Sequence, residues 1–152
     1  MNTPQRKLRM SCRGIIRHDN KILLQNVDSR EYWNLPGGGF EPYDESFEAC
    51  TIREIKEETG MDTTLERLLF VQEFKHRDTA QIELFFLLKG TDFSQYNEHH
   101  TDLDKPDAVN RLSWFTNEEI QSMDVRPAFI GENIQQLLDN PCPIFTQGIS
   151  KE

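Results

Sequence analysis

The feature that most constrains this chain is a predicted helix over residues 46–59 that ends at Gly60, a residue type that often terminates helices. Three glutamates share one face of this helix at positions i, i+3 and i+4: Glu54, Glu57 and Glu58. Ile52 and Ile55 point away from that face. We therefore expect one side of the helix to pack on a sheet while the other side presents three carboxylates.

Three carboxylates at this spacing repel each other unless they are exposed, protonated or bridged by a cation, because their Cβ atoms lie within about 5–6 Å. Oxygen-only ligands suit Mg²⁺ or Mn²⁺ better than zinc. Taken alone, the three glutamates fit either a divalent metal site or a solvated acidic helix face.

The length and charge of the chain exclude several classes of protein. A chain of 152 residues fits one domain with one core. Its net charge of −9 disfavours nonspecific binding to nucleic acid or anionic membranes, because phosphate contacts need Lys and Arg. A metal between carboxylates and phosphates would still allow a small phosphate compound to bind. No secretory signal is visible, and three dispersed cysteines without a CxxC motif favour a reducing, cytoplasmic location.

Strand and helix signals alternate along the chain, which predicts a mixed α/β domain with helices covering a mixed sheet. The predicted strands cover residues 8–17, 21–27, 64–75, 81–89 and 111–115. Besides residues 46–59, helices are expected at a capping-box sequence, residues 116–119, and from Pro127 to about Asp139. Residues 33–40 and 91–110 are predicted to be loops. The tail from Pro141 is expected to be loosely held, so that the core covers residues 8–139.

Residues 39–61 fit the pattern G-x5-E-x7-R-E-U-x-E-E-x-G-U, in which U is a bulky aliphatic residue. The matching positions are Gly39, Glu45, Arg53, Glu54, Ile55, Glu57, Glu58, Gly60 and Met61. This pattern resembles the signature of the Nudix hydrolase family. At an ordinary abundance of about 6% per residue type, seven fixed positions make a chance match rarer than about one in a million. Because one extra residue separates the glycines from the first glutamate, either Gly38 or Gly39 can be the equivalent of the family's glycine.

The resemblance implies an α/β/α sandwich with a mixed sheet and a single Nudix hydrolase domain over residues 1–152. It also implies a Mg²⁺-dependent enzyme, in which Mn²⁺ can substitute, that hydrolyses the diphosphate linkage of a nucleoside diphosphate joined to another group. ADP-ribose-like compounds and nucleoside triphosphates are the expected substrates. The alternative is a catalytically silent module of the same fold that binds or senses nucleotides. Many relatives are dimers, so a homodimer is compatible with the resemblance.

The resemblance also assigns roles within the helix and the loop before it. The expected metal ligands are three carboxylates and one backbone carbonyl: Glu54, Glu57, Glu58 and Gly37. Glu45 is expected to brace the loop against the helix, and Arg53 to orient a neighbouring carboxylate.

Either of two carboxylates can be the general base: Glu54 in the helix or Glu98 in the long loop. Glu83 is either a carboxylate close to the metal or a solvent-facing strand residue that alternates with apolar neighbours.

Three further residues are candidates for substrate binding. Arg9 and Arg13 alternate on one face of the first strand, where either can grip a phosphate or serve as a solvated edge-strand charge. Trp33, just before the glycines, can stack on a nucleobase or pack in the core.

Overall fold

The computed structural model describes residues 7–147. Its helices are α1 (Phe47–Thr59), α2 (Asn117–Gln121) and α3 (Ala128–Asp139), and a 3-10 turn covers Phe93–Gln95. Its strands are β1 (Lys7–Ile15), β2 (Arg17–His18), β3 (Lys21–Val27), β4 (Trp33–Asn34), β5 (Gly37–Gly39), β6 (Thr64–His76), β7 (Thr79–Lys89), β8 (His99–Thr101), β9 (Val109–Thr116), β10 (Val125–Arg126) and β11 (Ile144–Gln147).

The strands form two sheets. The first has the order β11-β6-β7-β1-β5, in which β6 and β7 are an antiparallel hairpin, β1 runs parallel to β7, and β5 runs antiparallel to β1. The second has the order β10-β4-β3-β9-β8, and β2 also pairs with β3. Parallel and antiparallel pairs occur in each sheet, so the predicted mixed α/β architecture is confirmed.

Alternation along β7 separates two apolar layers, because successive side chains of a strand point to opposite faces. Phe85 is buried with residues of α3 such as Ile130, whereas Leu84 is buried with residues of α1 such as Ile55. The Phe85 ring also stacks on the ring of Phe70 at 4.0 Å. The first sheet therefore has α1 on one face and α3 on the other.

The three predicted helices are confirmed. Ser46 caps α1 by accepting a hydrogen bond from the Ala49 N–H (3.0 Å), and Gly60 ends the helix in the left-handed conformation with φ 75°. The α2 helix has the capping box predicted from its sequence. No helix among the described residues is long and apolar enough to cross a membrane.

Three segments differ from the predictions, each because a distant strand supplies backbone partners. Residues 33–40 contain β4 and β5 rather than only loop. Residues 91–110 contain β8, which pairs with β9. The tail was expected to be loosely held, but β11 adds a parallel edge strand to β6. Residues 148–152 lie outside the described residues.

Candidate active site

The acidic face of α1 lies against the glycine strand β5 rather than facing solvent. The buried residues of the helix are Cys50, Thr51, Glu54, Ile55 and Thr59. Ile52, predicted to pack on the sheet, is only partly buried, whereas Glu54 is only 9% exposed. The prediction of a helix with one apolar and one acidic side was therefore wrong in this respect. The physical reason is that α1 contacts β1, β5 and β8 together, which covers more than one flank of the helix.

Glycine at position 38 makes room for the Glu54 carboxylate. A Cβ atom at Gly38 would collide with all three atoms of that carboxylate group, while a Cβ at Gly39 would stay 3.5 Å from the Arg9 guanidinium. Burial is the largest cause that raises the pKa of Glu54, and the Glu57 charge adds to it. Of Gly38 and Gly39, Gly38 is therefore the glycine whose missing side chain leaves room for the Glu54 carboxylate.

Glu58 is held by the backbone of the same strand. The Gly37 N–H donates a hydrogen bond to Glu58 Oε2 (2.8 Å). Burial raises the pKa of Glu58 to about 7, although the nearby Arg13 charge and the Gly37 hydrogen bond act in the opposite direction. Gly37 has φ 152°, and a Cβ there would collide with the backbone of β1. The predicted role of Gly37 as a carbonyl ligand stays a prediction.

Arg53 connects the loop before α1 to the carboxylates of the helix. It donates two hydrogen bonds of 2.8 Å to Asp44, one of 2.9 Å to Glu54 and others of 3.2 Å to Glu57. It also donates to the carbonyl of Gly39 (3.0 Å). This guanidinium is the main cause that holds the pKa of Asp44 below its usual value. Arg53 therefore contacts three carboxylates, one in the loop and two on the helix.

The residue that braces the loop is Asp44 rather than Glu45. The Asp44 side chain is 3% exposed in its ion pair with Arg53, whereas Glu45 is exposed. The Glu41 N–H also donates to Asp44 Oδ2 (2.8 Å), which closes the turn. Asp44, the neighbour of Glu45, therefore makes the contact between this loop and Arg53.

The donor chemistry of this face fits a hard divalent cation. Within residues 7–147, no three carboxylate, imidazole or thiol groups surround a common point closely enough to hold a metal as the side chains stand. The Arg53 Nη1 atom instead bridges Glu54 and Glu57. Glu54 and Glu58 nevertheless have raised pKa values because burial leaves their charges undercompensated. A bound cation would provide that compensation, so the carboxylates fit a metal chemically.

A further carboxylate near Glu54 was missed by the sequence analysis. Asp102 follows β8, is only 7% exposed, and its charge helps to raise the pKa of Glu54. It caps its own turn by accepting from the N–H groups of Asp104 (2.8 Å) and Lys105 (3.0 Å). The turn-forming sequence Asp-Leu-Asp-Lys-Pro was the available signal. Glu98, predicted from the same loop, is exposed, and its charge acts on Tyr96.

Arg13 and Glu83 form an ion pair on the other face of the first sheet. Arg13 Nε donates to Glu83 Oε2 (2.6 Å), and Arg13 Nη1 donates to the carbonyl of Leu35 (2.9 Å). The Ser11 hydroxyl also donates to Glu83 (3.3 Å). Glu83 is buried, so its interpretation as a solvent-facing residue was wrong; the parallel register of β1 on β7 places it beside Ser11. The Arg13 guanidinium already has two partners, while Arg9 is exposed.

A cleft of about 750 Å³ runs over this face of the sheet and reaches Gly38. Four arginines line it: Arg9, Arg13, Arg30 and Arg126. Three aromatic residues also line it: Tyr32, Phe74 and Phe129. In a chain with a net charge of −9, this concentration of guanidinium groups favours an anionic ligand.

Trp33 is not among the residues that line this cleft. Its ring packs edge-on against Phe115 with 5.0 Å between centroids, and Arg111 lies 5.6 Å from the ring centroid. Of the two roles open to Trp33 from the sequence, these contacts fit core packing.

Comparison with known proteins identifies relatives over most of the chain. The NUDIX domain profile matches residues 7–135. An ADP-ribose pyrophosphatase from Methanocaldococcus jannaschii is 44% identical over 80 residues, which are 49% of this chain and 47% of that protein. The human diphosphoinositol polyphosphate phosphohydrolase 2 is 30% identical over 104 residues, covering 66% of this chain and 52% of that protein. The chain thus spans about half the length of these relatives.

Two solved structures have the same fold. The Escherichia coli ORF135 protein superimposes with a TM-score of 0.70 and 26% identity, covering 90% of this chain and 95% of the other. The MutT NUDIX hydrolase from Burkholderia pseudomallei superimposes with a TM-score of 0.58 and 27% identity, covering 74% of this chain and 86% of the other.

Proposed function

Because this chain belongs to the NUDIX domain family, we propose that it is a Mg²⁺-dependent hydrolase that cleaves the diphosphate linkage of an ADP-ribose-like nucleotide, with Mn²⁺ able to substitute. The observation that carries this proposal is the buried Glu54 and the half-buried Glu58, whose carboxylates are held against the glycine strand that an arginine-lined cleft reaches. The name of the Methanocaldococcus jannaschii relative supports the substrate class.

In this proposal, Glu54, Glu57 and Glu58 hold the metal. When bound, a divalent cation would neutralise phosphate charge and lower the pKa of a coordinated water. Arg53 keeps two of the carboxylates oriented through its hydrogen bonds. The Gly37 N–H fixes the position of Glu58 Oε2. The chain thus supplies positioned charges in advance of substrate binding.

We assign proton acceptance to Glu54. A carboxylate is a better base near neutral pH when its pKa is raised, and burial raises the pKa of Glu54. The nearby charge of Asp102 contributes to this shift and makes Asp102 a positioning residue. The sequence left Glu98 as the alternative general base. We do not assign it this role, because its side chain is exposed.

The cleft arginines are proposed to bind the phosphates of the substrate. Arg9 lies beside Gly39 and is exposed, so its guanidinium can turn toward a phosphate. Glu83 holds the Arg13 side chain in place through an ion pair. Arg13 therefore acts on the site through its charge, which lowers the pKa of Glu58. A cytoplasmic location fits the free thiols of Cys12, Cys50 and Cys142.

The experiment is a substrate panel with Mg²⁺, in which ADP-ribose is compared with nucleoside triphosphates and release of the corresponding nucleoside monophosphate is measured. Glu57→Gln should lower turnover by at least a hundredfold. Glu48→Gln is the matched control, because Glu48 is exposed in the first turn of the same helix. If the parent protein binds these nucleotides but hydrolyses none, the silent binding module is the better description.

A further inference from the structure

Side chains from four adjacent strands form a polar row on the floor of the cleft. The sheet register pairs Thr146 with Gln72, Gln72 with Glu83, and Glu83 with Ser11. Because laterally paired residues point to the same face of a sheet, the four side chains lie side by side. All four line the cleft.

One half of this row is satisfied by the protein and the other half is not. Glu83 accepts hydrogen bonds from Ser11 and Arg13. In contrast, Gln72 Oε1 and Thr146 Oγ1 have no hydrogen-bond partner within residues 7–147, although Gln72 is only 7% exposed. An unpartnered buried polar atom is costly, so such atoms in a cleft point to a ligand that supplies the missing partner.

The unsatisfied groups are concentrated in this cleft. Five buried side-chain atoms lack a hydrogen-bond partner among the described residues, and four of them belong to residues that line the cleft: Asn34, Gln72, Arg126, whose Nε lies 3.5 Å from Asp124 Oδ1, and Thr146. The fifth belongs to Gln25. Random packing defects would be spread over the molecule and would not concentrate in one cleft.

Aromatic side chains flank the polar row. Phe74 lies two residues beyond Gln72 on β6 and therefore shares its face, while Phe129 lines the cleft from the start of α3. A planar ligand with both polar edges and apolar faces matches this combination better than a sugar does. From β5 to β6 there are three strand spacings, about 14 Å, which is comparable to the span from the phosphates to the amino group of an extended adenosine diphosphate.

We propose that this cleft binds the nucleobase of the substrate and that Gln72 selects adenine over its 6-oxo counterpart, hypoxanthine. The placement of the base rests on the proposed function, which puts the diphosphate beside Gly38. A glutamine amide can accept from the 6-amino group of adenine and donate to N7. A 6-oxo purine presents an acceptor in place of that amino donor, so one of the two hydrogen bonds is lost.

The test measures equilibrium binding of AMP and IMP, which have no diphosphate linkage to cleave, in the presence of Mg²⁺. The parent protein should bind AMP about tenfold more tightly than IMP, since IMP forms one hydrogen bond with the amide where AMP forms two. Gln72→Leu should bring the ratio close to one. Gln72→Arg should favour IMP, because a guanidinium donates to both O6 and N7. Gln136→Leu, an exposed change on α3, should leave the ratio at the parent value.

The inference is overturned if the parent shows no AMP preference, if it fails to bind AMP, or if both Gln72 variants keep the parental ratio. The Gln72→Arg variant is expected to bind IMP more tightly than AMP. This reversal still tests the inference if Gln72→Leu folds poorly. Glu57→Gln should abolish hydrolysis and keep the AMP to IMP ratio. Hydrolysis of ADP-ribose without base discrimination would therefore remove this inference and leave the proposed function standing.

Discussion

The backbone N–H of Gly37 donates a 2.8 Å hydrogen bond to the carboxylate of Glu58, and so joins the edge strand β5 to the acidic face of α1. This contact links residues 21 positions apart. The half-buried carboxylate of Glu58 has a pKa raised to about 7 by loss of solvent contact, although the Gly37 hydrogen bond acts in the opposite direction. The glycine strand therefore shapes both the position and the protonation of the proposed metal ligands.

Gly38→Ala should weaken Mg²⁺ binding by about tenfold to a hundredfold, since the new methyl group would displace the Glu54 carboxylate. Gly39→Ala is the matched control, because its Cβ would make only ordinary contacts. The Mg²⁺ affinity of this variant should stay within about twofold of the parent value. Calorimetric titration of both variants with Mg²⁺ measures the difference. Equal weakening in both variants would contradict the assignment of Gly38 as the required glycine.

The metal-free protein should lose stability as the pH rises from about 4.5 to about 7. The folded pKa of Glu58 is raised from 4.5 to about 7, so the folded state binds more protons than the unfolded state in this window. We expect a loss of about 2 kcal/mol in the free energy of unfolding, measured by urea denaturation with EDTA. Glu58→Gln should flatten this dependence, and an unchanged slope in that variant would rule out Glu58 as its source. Added Mg²⁺ should restore stability at high pH.

Asp44→Asn should reduce the free energy of unfolding by about 1–3 kcal/mol at neutral pH, because it breaks the paired hydrogen bonds to Arg53. The folded pKa of Asp44 is lowered. Its contribution is therefore present above the unfolded pKa of about 3.9 and is lost as the pH falls through the folded value. Glu45→Gln should stay within about 0.5 kcal/mol of the parent. A larger cost for Glu45→Gln than for Asp44→Asn would return the bracing role to Glu45.

Asp102→Asn should move the acidic limb of the pH profile of kcat/KM to lower pH. Removing the Asp102 charge takes away one of the causes that raise the pKa of Glu54. Glu98→Gln is the comparison in the same loop and should leave the acidic limb in place. If Glu98→Gln alone lowers kcat strongly, Glu98 rather than Glu54 is the base.

Arg13→Ala should lower the free energy of unfolding by about 2–4 kcal/mol, because it leaves the buried Glu83 carboxylate without its ion-pair partner. Arg9→Ala should leave stability within about 0.5 kcal/mol and raise KM several-fold, because Arg9 is exposed at the cleft. Thermal unfolding and steady-state kinetics separate the two effects. An unchanged KM in both variants would show that neither arginine binds a phosphate.

The helix that carries the glutamates was predictable because its signals are local. Ser46 and Gly60 bound it, and the spacing of Glu54, Glu57 and Glu58 places them on one face whatever the helix contacts. The family resemblance followed from the same short stretch, and the matching NUDIX domain profile confirmed it.

Other parts of the site depend on which distant segments meet. The turn before α1 places Asp44, and not Glu45, opposite Arg53. The segment after β8 returns to α1, where the Leu103 N–H donates to the carbonyl of Glu57 (3.0 Å), and this return brings Asp102 near Glu54.

The sequence by itself determined the acidic helix, its ends and the class of chemistry, because each depends on residues within a few turns of one another. Only the tertiary structure decided that the glutamates face a glycine strand and that Gln72 shares a polar row with Glu83 and Thr146. Strand register sets these neighbours, and register is established by the packing of both sheet faces together. A local pattern shows which residues share a face of one strand, but not which strand will lie beside it.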